Sequence, residues 1–316
     1  MKISTPCSFP ASGSVLQALP SGISTARFHL STINYLLGTA CCVLLFSCYT
    51  PRYVYSPTAH NVPLLVQKGD SKIGINYSSN LSSKRTSGEQ VYLSRSNGMD
   101  AQAAYAVSNR FALQLNYFYR KEQNGGNYTS YRDSAVIQYK RKLTELGAGY
   151  FTKLHPEGNL IFQVFAGIGF GNFSFTDNGK DGNRLDYSRY HKAGIIKYYV
   201  QPALMYQYKK QVAASLSSRF SIINFRDIKT DYTQAEQRNF ELDNIARSPV
   251  VFWEPAFVNA IGFKKLPGLR LEYQFGMSIL MSRRFIDARS FNFSMGIQAD
   301  LPTLFKKNRV LSKRIN

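Results

Sequence analysis

From about residue 71 to residue 301, apolar and polar positions alternate with a period of two. In "LRLEYQFGMSILM", Leu269, Leu271, Tyr273, Phe275, Met277, Ile279 and Met281 alternate with Arg270, Glu272, Gln274, Gly276 and Ser278. In "FNFSMGIQADL", Phe291, Phe293, Met295, Ile297, Ala299 and Leu301 alternate with Asn292, Ser294, Gly296, Gln298 and Asp300. Successive side chains of a strand point to opposite faces, so each stretch predicts a strand with one apolar and one polar face. Wound as helices, the same residues would spread apolar groups all round a cylinder. The dyad recurs at 111–120, 160–171 and 198–208, and more weakly at 71–78, 98–107, 135–152, 211–225 and 249–264. A slip in phase before Phe173 and Phe175 predicts a bulge.

About ten strands result, many longer than the five or six residues usual in soluble sheets. Short connectors ("VSNR", "KLHPEG", "YKKQ", "KKLPG") alternate with polar loops near 79–97, 121–133, 176–189, 226–248 and 283–287. Short turns at one end and long loops at the other predict an all-β, antiparallel transmembrane barrel over 71–301. A soluble sandwich or lipocalin-like barrel would turn the apolar face inward. Here the polar face is rich in Gly, Ser, Gln and Asn, as a narrow lumen requires, and the apolar face carries Tyr and Phe near strand ends. Arg110, Lys197, Arg219, Glu254, Arg270 and Glu272 are in phase with that lumen. Their mixed signs predict a salt-bridged, largely closed core, since about eight strands already enclose only enough space for side chains. A narrow small-molecule channel is the alternative.

Composition agrees: 21 Tyr and 22 Phe stand against one Trp, and the formal charge is +20. The basic residues are scattered and no nucleic-acid-binding motif accompanies them, so outer-membrane lipids and lipopolysaccharide are the expected partners, and nucleic acid is not.

The segment before the barrel is different. "LLGTACCVLLFSCYTP" contains an apolar run too short to span a bilayer as a helix but suited to a signal-peptide core. It ends in Leu45-Phe46-Ser47-Cys48, which resembles the bacterial lipobox, with Phe46 bulkier than usual. That resemblance implies cleavage between Ser47 and Cys48 by the lipoprotein-processing machinery, and a lipid on Cys48. Residues 1–47 are then a signal peptide with an upstream extension. Cys7, Cys41 and Cys42 leave with it, so no internal disulfide or cysteine metal site is expected. Residues 48–70, with three prolines and no period, read as a lipidated N-terminus and extended tether. Residues 302–316 read as a basic tail.

With the lipobox, "CYTPRYVYSP", "GAGYF", "AGIGFG" and "SMGIQADL", the chain resembles the outer-membrane β-barrel lipoproteins of Bacteroidota. The resemblance implies an outer-membrane location, dependence on the outer-membrane assembly machinery, and no catalytic residue or cofactor. The acidic export patch of surface lipoproteins is replaced by Tyr49-Thr50-Pro51-Arg52, which implies an anchor in the periplasmic leaflet.

Candidate chemistry is thin. Barrel proteases of the omptin type use rim carboxylates and a His–Asp pair. Here His191 lies near Asp181 and Asp186 in sequence, with Asp227 and Asp231 on another loop, in no recognised spacing. A barrel lipase needs His on the lipid-facing wall, whereas His60, His155 and His191 fall in the tether, a turn and a loop. "DNGKDGNRLD" (Asp177 to Asp186) lacks the order of a calcium loop. The expectation is a non-enzymatic barrel, without metal, in a structural or binding role.

Overall fold

The computed structural model describes residues 51–80, 83–87, 90–127, 135–155, 159–180, 185–208 and 211–304. Cys48, Ser47, the predicted signal peptide, Asp181 and most of the basic tail lie outside these residues.

The strands are β1 (Ser71–Ser79), β2 (Ser83–Ser87), β3 (Gln90–Ala106), β4 (Phe111–Asn127), β5 (Ala135–Lys153), β6 (Leu160–Lys180), β7 (Asp186–Tyr208), β8 (Val212–Thr230), β9 (Val250–Phe263), β10 (Leu266–Met277), β11 (Ile279–Leu280) and β12 (Phe291–Ala299). A short helix, α1 (Gln234–Asn239), sits between β8 and β9. Every pairing between these strands is antiparallel. β1 and β2 both pair with β3, and β10 and β11 both pair with β9, so each couple is one interrupted stave. β1 also pairs with β12, which closes the sheet into a barrel of ten staves.

β3 and β4, β5 and β6, β7 and β8, and β9 and β10 follow one another after few residues at one end, where β1 also begins and β12 ends. The longer connections, 231–249 and 281–290, lie at the other end. β4, β5, β6, β7 and β8 run for 17 to 23 residues. They therefore consume much of the predicted loops 121–133 and 176–189.

The predicted bulge before Phe173 is not there. β5 and β6 pair without a break from Ala135↔Gly179 to Lys153↔Ile161, and Phe173 and Phe175 simply continue the inward face of Gln163, Phe165 and Gly167. What changes at this height is polarity, not phase. Below it the outward residues are apolar (Leu160, Phe162, Val164, Ile168, Phe170), and above it they are Asn172, Ser174 and Thr176. Register breaks lie elsewhere: one between Leu266 and Arg270 against β9, and one between Lys192 and Gly194 against β8, where Asp227 adopts φ 52°. Two residues of β8 oppose one of β7 there, and the extra residue turns its carboxylate outward.

The same exchange runs round the wall. Toward the short turns, Ile75 (58% exposed), Leu113, Leu146, Tyr198, Leu216 (66%) and Ile297 point outward while Asn76, Gln114, Glu145, Gln201, Ser217 and Gln298 point inward. Toward the long loops the inward residues become Ile137, Tyr139, Phe173, Phe175, Ile195, Ile223 and Phe225. The outward ones there become Lys121, Lys140, Lys142, Lys192, Arg226 and Lys229. The apolar belt runs from Phe111 to Tyr119 on β4, about the 9–11 residues that a tilted strand needs to cross a bilayer. With a polar interior behind it, this is a transmembrane β-barrel whose upper half projects beyond the membrane.

Candidate functional site

The lumen is occupied by the chain itself. Residues 51–66 have no regular secondary structure and run down the inside of the barrel; Val54, Tyr55, Ser56, Thr58, Ala59, His60, Asn61, Val62 and Leu65 are all buried. Read from the sequence as a tether outside the barrel, the segment is extended, as three prolines dictate, but it is enclosed by the wall. Pro51, Pro57 and Pro63 hold it extended and carry no N–H that would need a partner.

Contacts follow one another down its length. At the long-loop rim the Tyr139 hydroxyl donates to the Pro51 carbonyl (3.0 Å). The Arg52 guanidinium donates to Asp177 (Nε to Oδ2, 2.9 Å), its backbone N–H donates to Asp287 (3.0 Å), and the Phe240 ring lies 3.6 Å beneath it. The Tyr232 hydroxyl, from the β8–β9 connection, also donates to Asp177 (2.7 Å). Burial raises the Tyr232 pKa, and the charge of Asp177 raises it further. Val54 and Tyr55 bond residues 287–289 through the backbone, as a parallel bridge.

Below the rim the segment meets charge. The Tyr55 hydroxyl donates to Glu254 Oε1 (2.7 Å) and accepts from Lys197 Nζ (3.1 Å). Lys197 lies 3.1 Å from Glu145 and 3.4 Å from Glu254. Arg219 lies 3.8 Å from Glu145 and donates to Thr58 (2.7 Å), the Ala59 carbonyl (3.4 Å) and Gln201 (2.6 and 2.8 Å). Gln274 pairs with the backbone of His60 as a strand would, accepting from its N–H (2.9 Å) and donating to its carbonyl (2.8 Å). Asn61 donates to Asn116 (2.8 Å) and Ala103, and its carbonyl accepts from Gln201.

The lower end is apolar again. Val62 packs with Ile161, Met205 and Val258, and Leu65 packs with Phe151 and Phe165. Asp70 then caps the exit by accepting from the N–H groups of Val66 (2.7 Å) and Gln67 (2.9 Å), while Gly69 at φ 90° reverses the chain into β1. Only glycine adopts that φ freely. The wall makes room for its own bulk as well. Gly147 and Gly167 are a facing pair on β5 and β6, and a Cβ on either would lie 2.5–2.6 Å from the Tyr199 hydroxyl, which accepts from Gln114 across the lumen.

Of the charged residues expected in the lumen, Lys197, Arg219 and Glu254 lie together at mid-height, and Glu272 pairs with Lys72 (2.6 Å) nearer the short turns. Arg270 is half-buried at the short-turn end, beside Asp300, and lines a small cavity together with Glu272. Arg110 is not in the lumen. It is exposed in the 107–110 turn, one residue before β4 starts, so strand phase does not govern it. Sequence phase missed Glu145, the partner of both Lys197 and Arg219, because its neighbours on β5 give only a weak dyad. Among the described residues, seven cations (Arg52, Lys72, Arg120, Arg141, Lys197, Arg219, Arg289) and seven carboxylates (Asp100, Glu122, Glu145, Asp177, Glu254, Glu272, Asp287) are buried. The interior is balanced, so the chain's positive excess lies outside it. Two cavities beside Leu64 and Arg270 measure about 10 and 30 Å³, at most the space of a water or two.

Among the described residues, the rim histidine and carboxylates named as hydrolase candidates are not brought together. His191 points inward, fully buried between Phe173 and Phe175 at ring distances of 5.7 and 5.2 Å, with no hydrogen bond to either ring nitrogen among the described residues. Asp186 is exposed beside Lys180, Asp227 beside Arg226, and Asp231 accepts from the Tyr190 N–H. Asp177 faces inward to Arg52 and Asp186 faces solvent, so the carboxylates at either end of the Asp177–Asp186 stretch diverge. On the outer wall, a concavity of about 510 Å³ lies where Pro202 and Pro255 flank Ser218, floored by Ala203 and Ala256 and rimmed by Leu204, Leu216 and Phe257. It opens within the apolar belt.

No protein-family model matches the chain, and no curated protein matches it. Solved structures that resemble it include the outer membrane protease OmpT from Escherichia coli, at 10% identity and TM-score 0.40, covering 77% of this chain and 99% of that one. The outer membrane protein OprG from Pseudomonas aeruginosa resembles it at 10% identity and TM-score 0.34, covering 76% and 99%. The translocator domain of the autotransporter NalP from Neisseria meningitidis does so at 9% and 0.30, covering 86% and 96%. All three are outer-membrane proteins of differing activity, and likeness at this level carries no function across.

Proposed function

We propose that this protein is an outer-membrane barrel lipoprotein that does not conduct, sealed by its own N-terminal segment and serving a structural or binding role. The observation that carries the reading is the buried passage of residues 51–66 through the lumen, hydrogen-bonded to wall strands from β3 to β10. A channel needs a continuous wet path. Here Tyr55 and Thr58 stand in that path and bond the wall's charges, and Asn61 bonds its amides.

The binding surface is the outer wall. Lys121, Lys140, Lys192 and Lys229 lie in one cross-strand row, with Ser174 between Lys140 and Lys192, and Lys142 and Arg226 lie in the row below. All six basic residues are exposed and stand just above the apolar belt, at the level of lipid headgroups. Phosphorylated headgroups, those of lipopolysaccharide above all, fit a basic collar at that height.

Planar-bilayer recording tests the reading. The full chain is expected to stay silent, and a variant with residues 52–61 replaced by a Gly-Ser repeat of equal length is expected to open. Steady conductance from the unaltered chain would overturn it.

A further inference from the structure

The direction of the plug has a topological consequence, which rests on the reading of a plugged, lipidated barrel. The chain enters the barrel from the long-loop end. Pro51 is held there by Tyr139 and Asn124, and Arg52 by Asp177 near the top of β6 and by Asp287 in the β11–β12 connection. It descends, turns at residues 67–70 on the short-turn side, and only then rises as β1.

We infer that the mature amino terminus, with its lipid on Cys48, emerges on the outer face of the membrane, so that the anchor engages the outer leaflet. Cys48 is three residues from Pro51, a span of at most about 11 Å. Asp177, level with Arg52, is 17 residues along β6 from Leu160 at the short-turn end. At the rise and tilt of a barrel strand that is roughly 40 Å. No three-residue span covers that distance. A return down the lumen is closed by the plug itself, where Leu65 and Val62 fill the lower end. Transmembrane barrels place short turns in the periplasm and longer loops outside, which makes the Pro51 rim the outer one. The wall therefore closes round a segment whose lipidated end has already passed to the far side. The anchor and the C-terminal end of β12 then lie on opposite sides of the membrane, although the even strand count returns β12 to the side where β1 starts.

The mature chain carries no cysteine after Cys48, whose sulfur the lipid occupies, so one introduced cysteine is the sole free thiol. Thr50→Cys introduces it one residue before Pro51 in the sequence, and Lys264→Cys places it in the exposed β9–β10 turn. Intact cells are treated with a membrane-impermeant maleimide, then permeabilised and treated again, and heat-modifiable gel migration verifies that each variant has folded. Thr50→Cys is expected to label in intact cells, and Lys264→Cys only after permeabilisation. The reverse order would keep the threaded path and overturn the outer-face assignment. Labelling of both from one side would overturn the path itself. Mass spectrometry of the N-terminal peptide is expected to show acylated Cys48, and an unacylated Cys48 would overturn the anchor. Bilayer silence tests the sealed lumen separately, so failure of one reading is distinguishable from failure of the other.

Discussion

The lower and upper halves of this barrel share staves, register and period, yet solve opposite problems. In the lower half the solvent outside is lipid, so Leu146, Tyr198 and Leu216 face out, and the interior holds Lys197, Arg219, Glu145 and Glu254. In the upper half the solvent outside is water, so Lys140, Lys192 and Lys229 face out and Phe173, Phe175 and Phe225 form an aromatic core round the top of the plug. One strand such as β7 crosses from one regime to the other between His191 and Tyr206 without a change of phase. A dyad in sequence thus reports strand and facing, while its sign reports the medium.

Breaking the lower interior should have the largest effect. Lys197→Met leaves Glu145 and Glu254 with less compensation in a lumen that the plug keeps dry, and removal of one partner from a buried pair costs about 3–5 kcal/mol. A lowered denaturant midpoint of the folded barrel measures it. Lys197→Met with Glu145→Gln should recover part of the loss, whereas an additive loss would mean that the two do not interact.

A matched pair of outward substitutions sharpens the contrast. Leu216→Arg puts a charge on the lipid-facing wall, where the cost is about 2–4 kcal/mol at mid-depth. Gln138→Arg puts the same charge on the exposed wall above the basic rows and should stay within about 0.5 kcal/mol of wild type. Equal effects at the two sites would mean that the belt does not face lipid. By solvent exposure alone Leu216, at 66%, is a permissive site too. Only the identity of the surrounding medium makes it the worse one.

These comparisons also show what the chain made legible. The strands of the lower half are plain in Leu113, Leu115 and Tyr117, or in Ile297 and Met295, because lipid demands an unbroken apolar face. Parts of the upper half, within 121–133 and 176–189, read as loops because Lys121, Gln123 and Asn178 carry the polar character of loops, although their inward neighbours Glu122, Asn124 and Asp177 are buried. Phe173 looked out of phase for the same reason: the apolar residue had moved to the other face while the phase held. The plug had its own mark. Between Arg52 and Lys68 there is no Lys, Arg, Asp or Glu in a chain that is 18% charged, and Val54, Val62, Leu64 and Leu65 are poor choices for a solvated tether. What no periodicity carries is which strands those residues touch, since the contacts of Arg52 lie 125 and 235 positions away.

The smallest effect is expected at α1, which belongs to neither regime. Its capping box is complete: Thr233 accepts from the Glu236 N–H (3.2 Å), and Glu236 accepts from the Thr233 N–H (2.7 Å). Glu236 also accepts from Arg189 (3.1 Å). Partial burial would raise the Glu236 pKa, but the Thr233 N–H and the Arg189 charge outweigh it and hold it below the ordinary carboxylate value. A lowered folded pKa means stability that is present above the unfolded value and lost as pH falls through the folded one. Acidification through and below the carboxylate range should therefore loosen α1 while the barrel persists, read as faster hydrogen exchange at residues 236–240. Thr233→Ala should produce the same loosening at neutral pH, at a local cost of about 1 kcal/mol. The bilayer should stay silent throughout, because the seal is made by Tyr55, Thr58 and Asn61 below the rim. A conductance that appeared with the loss of α1 would move the seal up to the Arg52–Asp177 clasp, where Phe240 lies beneath the guanidinium.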